Sequence, residues 1–191
     1  MDFELPVDPF EIAAAAISLV AVWWTTRRDL LCWPIGIVSV LMYAAIYARA
    51  HLYSDALLQF VFGAFLVYGW WHWWRAPREQ GLPVVVPGGR RELVLGICGG
   101  LAGWAVLGWF MSRHTDADFA WLDAGLAAFS LVAQFWAARL LRANWLLWIA
   151  VDVIYVGMYA VKGLPATAVL YAVFIVLAVR GWREWGRGTP A

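Results

Sequence analysis

AAISLVAVWWTTRRDLLCW, residues 15–33, returns at residues 127–145 as AAFSLVAQFWAARLLRANW. Keeping the same offset of 112 residues aligns 15–73 with 127–185 without a gap, and 22 of the 59 positions are identical. Shared apolar composition raises chance matches. It does not put Trp24 on Trp136, Arg27 on Arg139, Trp33 on Trp145, Tyr43 on Tyr155, Tyr47 on Tyr159 and Gly69 on Gly181 in one register. A fixed period of this kind marks a duplicated structural unit.

The unit belongs in a membrane. Of 191 residues, 64% are hydrophobic and 14% charged, with a mean hydropathy of +0.70. A soluble domain is about half apolar and about a quarter charged. A spanning helix takes roughly 20 mainly apolar residues, and seven segments qualify: about 9–26, 31–50, 53–75, 90–112, 119–141, 144–161 and 164–185. Between them lie charge, Pro and Gly: Arg27 to Asp29, Arg49 to His51, Arg113 to Asp118, Arg139 to Arg142, Lys162-Gly163, and the longer stretch 75–91. Pro77, Pro83, Pro87, Gly88 and Gly89 in that stretch predict irregular backbone. The acidic N-terminus MDFELPVDPF lacks the basic region of a cleavable signal, so the first apolar segment is expected to stay. Cys32 and Cys98 lie in separate apolar segments and read as small hydrophobes.

Positive charge sets the orientation. Arg27, Arg28, Arg75, Arg78, Arg90, Arg91, Arg139, Arg142, Arg180, Arg183 and Arg187 fall on one side of the seven spans, and only Arg49, Arg113 and Lys162 on the other. The positive-inside rule then predicts an N-terminus outside and a C-terminus in the cytoplasm. Trp23, Trp24, Trp71, Trp73, Trp74, Trp182 and Trp185 sit at span ends and are expected in the interfacial aromatic belt. Net charge is +1, which points to neither nucleic acid nor an acidic partner.

Three spans reverse the side of the chain, so a second three-span copy in direct succession would be inverted. The span at 90–112 restores the side and makes the copies parallel. The expected fold is all-α and membrane-integral: one transmembrane domain of seven helices in a 3+1+3 parallel repeat. Repeat one is 9–75, the linker and linker helix 76–112, and repeat two 119–185. That plan is a transporter design, with substrate held between repeats near mid-membrane; a duplicated scaffold is the plainer alternative.

Span six carries the chemistry. Trp145, Trp148, Asp152, Tyr155 and Tyr159 form a single stripe on a 3.6-residue helix. Aromatic rings alone could be helix packing. A carboxylate inside a span costs about 2.5–3.5 kcal/mol on insertion scales and is a functional candidate by default. Trp33 corresponds to Trp145 through the repeat, but Gly36 stands where the second copy has Trp148, and Val40 where it has Asp152. The expected site is therefore asymmetric, with Gly36 leaving room opposite span six. Gln59 and Gln134 are uncharged amides within apolar runs, able to donate and accept; interhelical hydrogen bonding is the alternative. Asn144 is read as a cap of span six or a substrate contact, Tyr43 as lining the path, and Asp55 and Asp123 as caps or entry-path charges. His51, His72 and His114 have no ligand spacing, so no metal or cofactor is expected. No Gly-rich phosphate loop or nucleophile elbow appears, which argues against an enzyme or an ATP-driven pump.

The stretches WPIGIVSVLMYAAIYARAHLYSDALLQF (33–60), YGWWHW (68–73), SLVAQFWAARLLRANWLLWIAVDVIYVGMYAVKG (130–163) and GWREW (181–185) resemble the PnuC family of bacterial vitamin transporters. The resemblance covers about 15–75 and 119–185 and weakens in the linker span. It implies a full-length fold like that of the SWEET sugar transporters and a place in the bacterial inner membrane. It also implies carriage of nicotinamide riboside, or in some branches thiamine or other vitamin-like nucleosides, by facilitated diffusion with trapping by a cytoplasmic kinase. Oligomers are implied too. The family's ring-binding WxxW role would fall on Trp145 and Trp148, and its amide contacts on Gln59 and Gln134. The family pattern can place an amide where this chain has Asp152, so an acid there favours a cationic or amine-bearing substrate.

Overall fold

The fold comes from a computed structural model that describes residues 8–49, 51, 53–114 and 119–187. The acidic segment 1–7 and the break at 115–118 lie outside the described residues. Seven helices are present among them: α1 Pro9–Thr26, α2 Cys32–Arg49, α3 Tyr53–Arg75, α4 Arg90–His114, α5 Ala120–Ala138, α6 Asn144–Val161 and α7 Pro165–Arg187. Asp8 starts α1 by accepting from the Phe10 amide at 2.9 Å, with Pro9 at the first helical position, where its missing N–H costs nothing. Six of the seven are long and apolar enough to cross a membrane. The exception is α3, whose 23 residues include Gln59, His72 and Arg75 among the apolar ones.

The turns repeat along with the helices. Arg28 and Leu140 both take left-handed backbone, with φ of 57° and 58°. His51 and Gly163 do the same, with φ of 60° and 70°. Each pair is 112 residues apart. A left-handed conformation costs a side-chain-bearing residue about 1–2 kcal/mol, so its recurrence at matched positions reflects one turn geometry used twice.

Around the bundle, α1 packs on α2, α2 on α3, α3 on α5, α5 on α6, α6 on α7, and α7 back on α1. This closes a ring of six helices. Helix α4 stands outside it against α5, with Gly96, Gly100 and Gly108 beneath the rings of Trp136, Phe129 and Trp121. Small residues are what let helix backbones approach in lipid.

The ring is locked at its arginine-rich end. Trp73 and Trp185, both 0% exposed, are not in an aromatic belt. They meet at 5.8 Å in the centre of the bundle, because each indole N–H has a partner across the molecule. Trp73 Nε1 donates to the Ala137 carbonyl at 3.1 Å, and Trp185 Nε1 to the Thr25 carbonyl at 3.2 Å. Donors and acceptors are again 112 residues apart. Edge-to-face contacts extend the cluster from Trp73 to Trp33 and from Trp185 to Trp145, at 5.0 and 5.3 Å. Trp33 lies on Gly69 and Trp145 on Gly181, where an added methyl would overlap the ring.

The linker is more ordered than its Pro and Gly content suggests. Arg78–Glu79 (β1) and Leu82–Pro83 (β2) pair antiparallel around Gln80 and Gly81, whose φ values are 49° and 81°. Beyond the hairpin the chain runs under the arginine-rich end and inserts Val85, 1% exposed, into the tryptophan cluster. Arg28 donates to the Pro83 carbonyl at 3.1 Å; Val86 donates to Leu140 at 2.9 Å and accepts from Arg142 at 3.2 Å. The Pro and Gly content predicted irregular backbone rather than a hairpin, and the tertiary insertion of Val85 has no local signature.

Gly181→Ala is expected to lower the thermal unfolding midpoint in detergent, with a cost of about 1–3 kcal/mol for overpacking a filled core. Gly99→Ala, where an added methyl meets nothing within 4 Å, leaves the midpoint unchanged.

Candidate substrate site

The stripe on α6 faces inward. Asn144, Trp145, Val151, Asp152 and Met158 are buried and Trp148, Tyr155 and Tyr159 half-buried, while Leu146, Val153, Ile154 and Val161 are exposed. Along this face the surroundings change from tryptophan to tyrosine. At the arginine-rich end, Trp145 and Trp148 join the cluster around Trp73 and Trp185. At the other end, Tyr155, Tyr159 and Tyr171 of α7 stack on one another at 4.5–5.8 Å. Tyr43 and Tyr47 of α2 stack at 6.0 Å, and Tyr47 interacts electrostatically with Tyr159.

Asp152 lies in sequence between these two aromatic layers, in the middle of α6. It is 3% exposed, and among the described residues no hydrogen bond or ion pair reaches its carboxylate; Tyr171 senses its charge. The other buried polar residues each make at least one contact. Thr26 donates to the Trp23 carbonyl at 2.7 Å, Ser39 meets Ser18 at 2.6 Å, Ser130 interacts with Tyr155, and Asn144 donates to the Leu141 carbonyl at 2.6 Å. An unpaired charge is costly to bury, so an acid inside a span is by default a functional candidate.

Gly36 does not leave room for a ligand. Leu66 of α3 fills its space, with a side-chain carbon 3.2 Å from where a Cβ would stand. The repeat shows why. Leu66 corresponds to Ala178, so the first copy pairs a glycine with a leucine where the second pairs Trp148 with Ala178 in the same packed cluster. Large and small have changed places between the two helices.

The remaining expected residues distribute as follows. Trp33 and Trp145 sit 2% exposed inside the tryptophan cluster, each with its indole N–H unpartnered. Asn144 opens α6 but turns its amide back to the preceding loop, leaving its carbonyl oxygen unpartnered and Ala143 as the N-cap residue. Gln59 on α3 and Gln134 on α5 are half-buried on helices that pack together, and Tyr43 interacts with Ser18 as Tyr155 does with Ser130. Asp123 pairs with Lys162 at 3.8 Å at the arginine-poor end. Among the described residues no cluster of His, Cys, Asp or Glu could hold a metal. Sequence reading missed Leu66, Ala178 and Tyr171; the signal for the first two was present in the repeat, as a paired exchange of volume.

The sequence profile of a family described as nicotinamide mononucleotide transporter matches residues 8–187. The chain belongs to that family. It is 27% identical over 175 residues to the nicotinamide riboside transporter PnuC of Escherichia coli (strain K12), covering 78% of this chain and 73% of the relative. It is 25% identical over 175 residues to the riboflavin/roseoflavin transporter RibM of Streptomyces davaonensis, covering 88% of this chain and 80% of that one. The crystal structure of a vitamin B3 transporter PnuC superposes with a TM-score of 0.78 at 21% identity, over 96% of this chain and 83% of that chain. The protein is thus a multi-pass membrane transporter, and its relatives and fold are those of transporters rather than enzymes.

Asp152→Val, which installs the residue of the first copy, is expected to raise the thermal midpoint in detergent by removing an uncompensated buried carboxylate. A lowered midpoint would reveal a structural partner for Asp152.

Proposed function

We propose that this chain carries nicotinamide riboside across the bacterial inner membrane, N-terminus outside and C-terminus in the cytoplasm. Passage is passive, with alternating access through rocking of repeat 9–75 against repeat 119–185, and trapping by a cytoplasmic kinase. The observation that carries this reading is the unpaired Asp152 beside Trp148 on the inward face of α6. Nicotinamide riboside presents a flat pyridinium, which suits a tryptophan face by about 2 kcal/mol or more when desolvated, and a carboxylate balances its charge. Tyr155, Gln134, Gln59 and Tyr43 supply polar contacts for ribose and carboxamide, with Trp145, Trp33 and Asn144 as the packed floor on the arginine-rich side. The ring of six helices, closed by α3 on α5 and α7 on α1, supports the two-repeat division. The same carboxylate favours thiamine, whose thiazolium is also a cationic ring, as the second reading.

Binding of nicotinamide riboside is expected to quench tryptophan fluorescence and give a calorimetric signal with the purified protein. Silence with nicotinamide riboside and a response to thiamine or riboflavin would reassign the substrate. The double variant Trp148→Gly with Ala178→Leu separates packing from recognition, because it recreates the arrangement of the first copy. It should fold and bind at least roughly 30-fold more weakly, the equivalent of about 2 kcal/mol. Unchanged affinity would make Trp148 a packing residue only.

A further inference from the structure

We infer that one acyl chain of a phosphatidylethanolamine lies in a groove between α3, α4 and α5, with its headgroup held by Arg139 and Glu92. The inference is independent of which vitamin is carried. Helices α3 and α4 both pack on α5, and a groove of about 470 Å³ runs between them. Phe65 of α3, Leu95 and Gly99 of α4, and Leu131 and Phe135 of α5 are among its walls. Among the described residues its only charged lining groups are Glu92 and Arg139, both at the arginine-rich end. Glycine makes the space. Gly96, Gly100 and Gly108 lie beneath rings of α5, but an added methyl at Gly99 meets nothing within 4 Å, and one at Gly103 meets Ala128 at 3.4 Å. Walls of Phe, Leu, Val and Gly give water too few hydrogen-bond partners to hold it. In a bilayer, hydrocarbon fills such a space and recovers the dispersion contacts of its walls.

The groove has the depth of one leaflet. Glu92 and Gly103 on α4 are eleven residues apart, as are Arg139, at the end of α5, and Ala128. At 1.5 Å per residue that is about 16 Å, and half of a roughly 30 Å hydrocarbon core is about 15 Å. The charged mouth selects the headgroup. Arg139 Nη2 stands 3.6 Å from Glu92 Oε1, with the two side chains 41% and 40% exposed. Glu92 also accepts the Gly89 amide at 3.1 Å. A guanidinium has five donors and a carboxylate about four acceptor sites, so the pair keeps capacity on both sides. Its complement is a phosphate beside a primary ammonium, which is the headgroup of phosphatidylethanolamine. A quaternary amine has no N–H to give Glu92, and a purely anionic headgroup leaves that carboxylate unmatched. The exposed Arg90 and Arg91 on the first turn of α4 make an anionic lipid the rival occupant.

The test adds dioleoyl lipids with ethanolamine, glycerol or choline headgroups, one at a time, to the purified full chain in detergent, and counts bound lipid by native mass spectrometry. One phosphatidylethanolamine per chain should be retained, about fivefold more tightly than the phosphatidylcholine of the same chains. Glu92→Gln, which keeps an acceptor for the Gly89 amide, should level the two. Gly99→Leu, which puts a side chain into the groove, should lower retention of all three lipids. Equal retention of the three by the wild-type protein, or stronger retention of phosphatidylglycerol, overturns the inference. So does undiminished retention by folded Gly99→Leu protein. An oligomer that holds no lipid overturns it as well and gives the groove to a second copy of the chain. The wild-type comparison decides the matter even where a variant fails to fold.

Discussion

Two hydrogen bonds hold this architecture together: Trp73 to the Ala137 carbonyl and Trp185 to the Thr25 carbonyl. Each takes an indole from the last helix of one copy to the end of the first helix of the other. In a membrane, apolar surface gains little from being buried against protein rather than lipid, so packing and interhelical hydrogen bonds decide how helices associate. Each of these two carbonyls also accepts a backbone N–H of the turn that follows its helix, from Arg28 and Leu140, so the indoles use a second lone pair while joining the copies. Gly69 and Gly181 exist for the same reason, since Trp33 and Trp145 can flank the pair only where no side chain stands.

With one end fixed in this way, the inward face of α6 becomes the place where the copies are free to differ. The exchange of Gly36 and Leu66 for Trp148 and Ala178 moves the bulky side chain from the last helix of the copy to the middle one and makes it an aromatic ring. Moving bulk between facing positions is a packing change, of the sort that hydrophobic cores accommodate. The exchange of Val40 for Asp152 is not of that kind. It replaces a hydrophobe with an acid that no side chain among the described residues pairs, and natural proteins break such rules chiefly where function requires it.

Much of this was legible in the sequence. The seven helices, the 112-residue period, and the inward stripe Trp145, Trp148, Asp152, Tyr155 and Tyr159 follow from periodicity alone. Three features did not. Trp73 and Trp185 read as belt residues because a terminal position in a helix says nothing about which way its ring turns, and their partners are 64 and 160 residues away. Gly36 read as space because the residue that fills it comes from another helix. The 75–91 stretch read as irregular, since the insertion of Val85 depends on a pocket that only the assembled bundle presents. The matched glycines at 69 and 181 were visible in the repeat, and a glycine retained opposite a retained tryptophan was the available clue to packing.

Counterflow in proteoliposomes tests the central claim most directly, that the broken symmetry at α6 is where substrate crosses. Vesicles loaded with unlabelled nicotinamide riboside and containing the wild-type protein should transiently accumulate the labelled compound from outside. Vesicles with the Asp152→Val protein, shown to be folded, should not. Equal counterflow through both proteins would contradict the assignment of the site, and would place the pathway away from the face where the two copies differ.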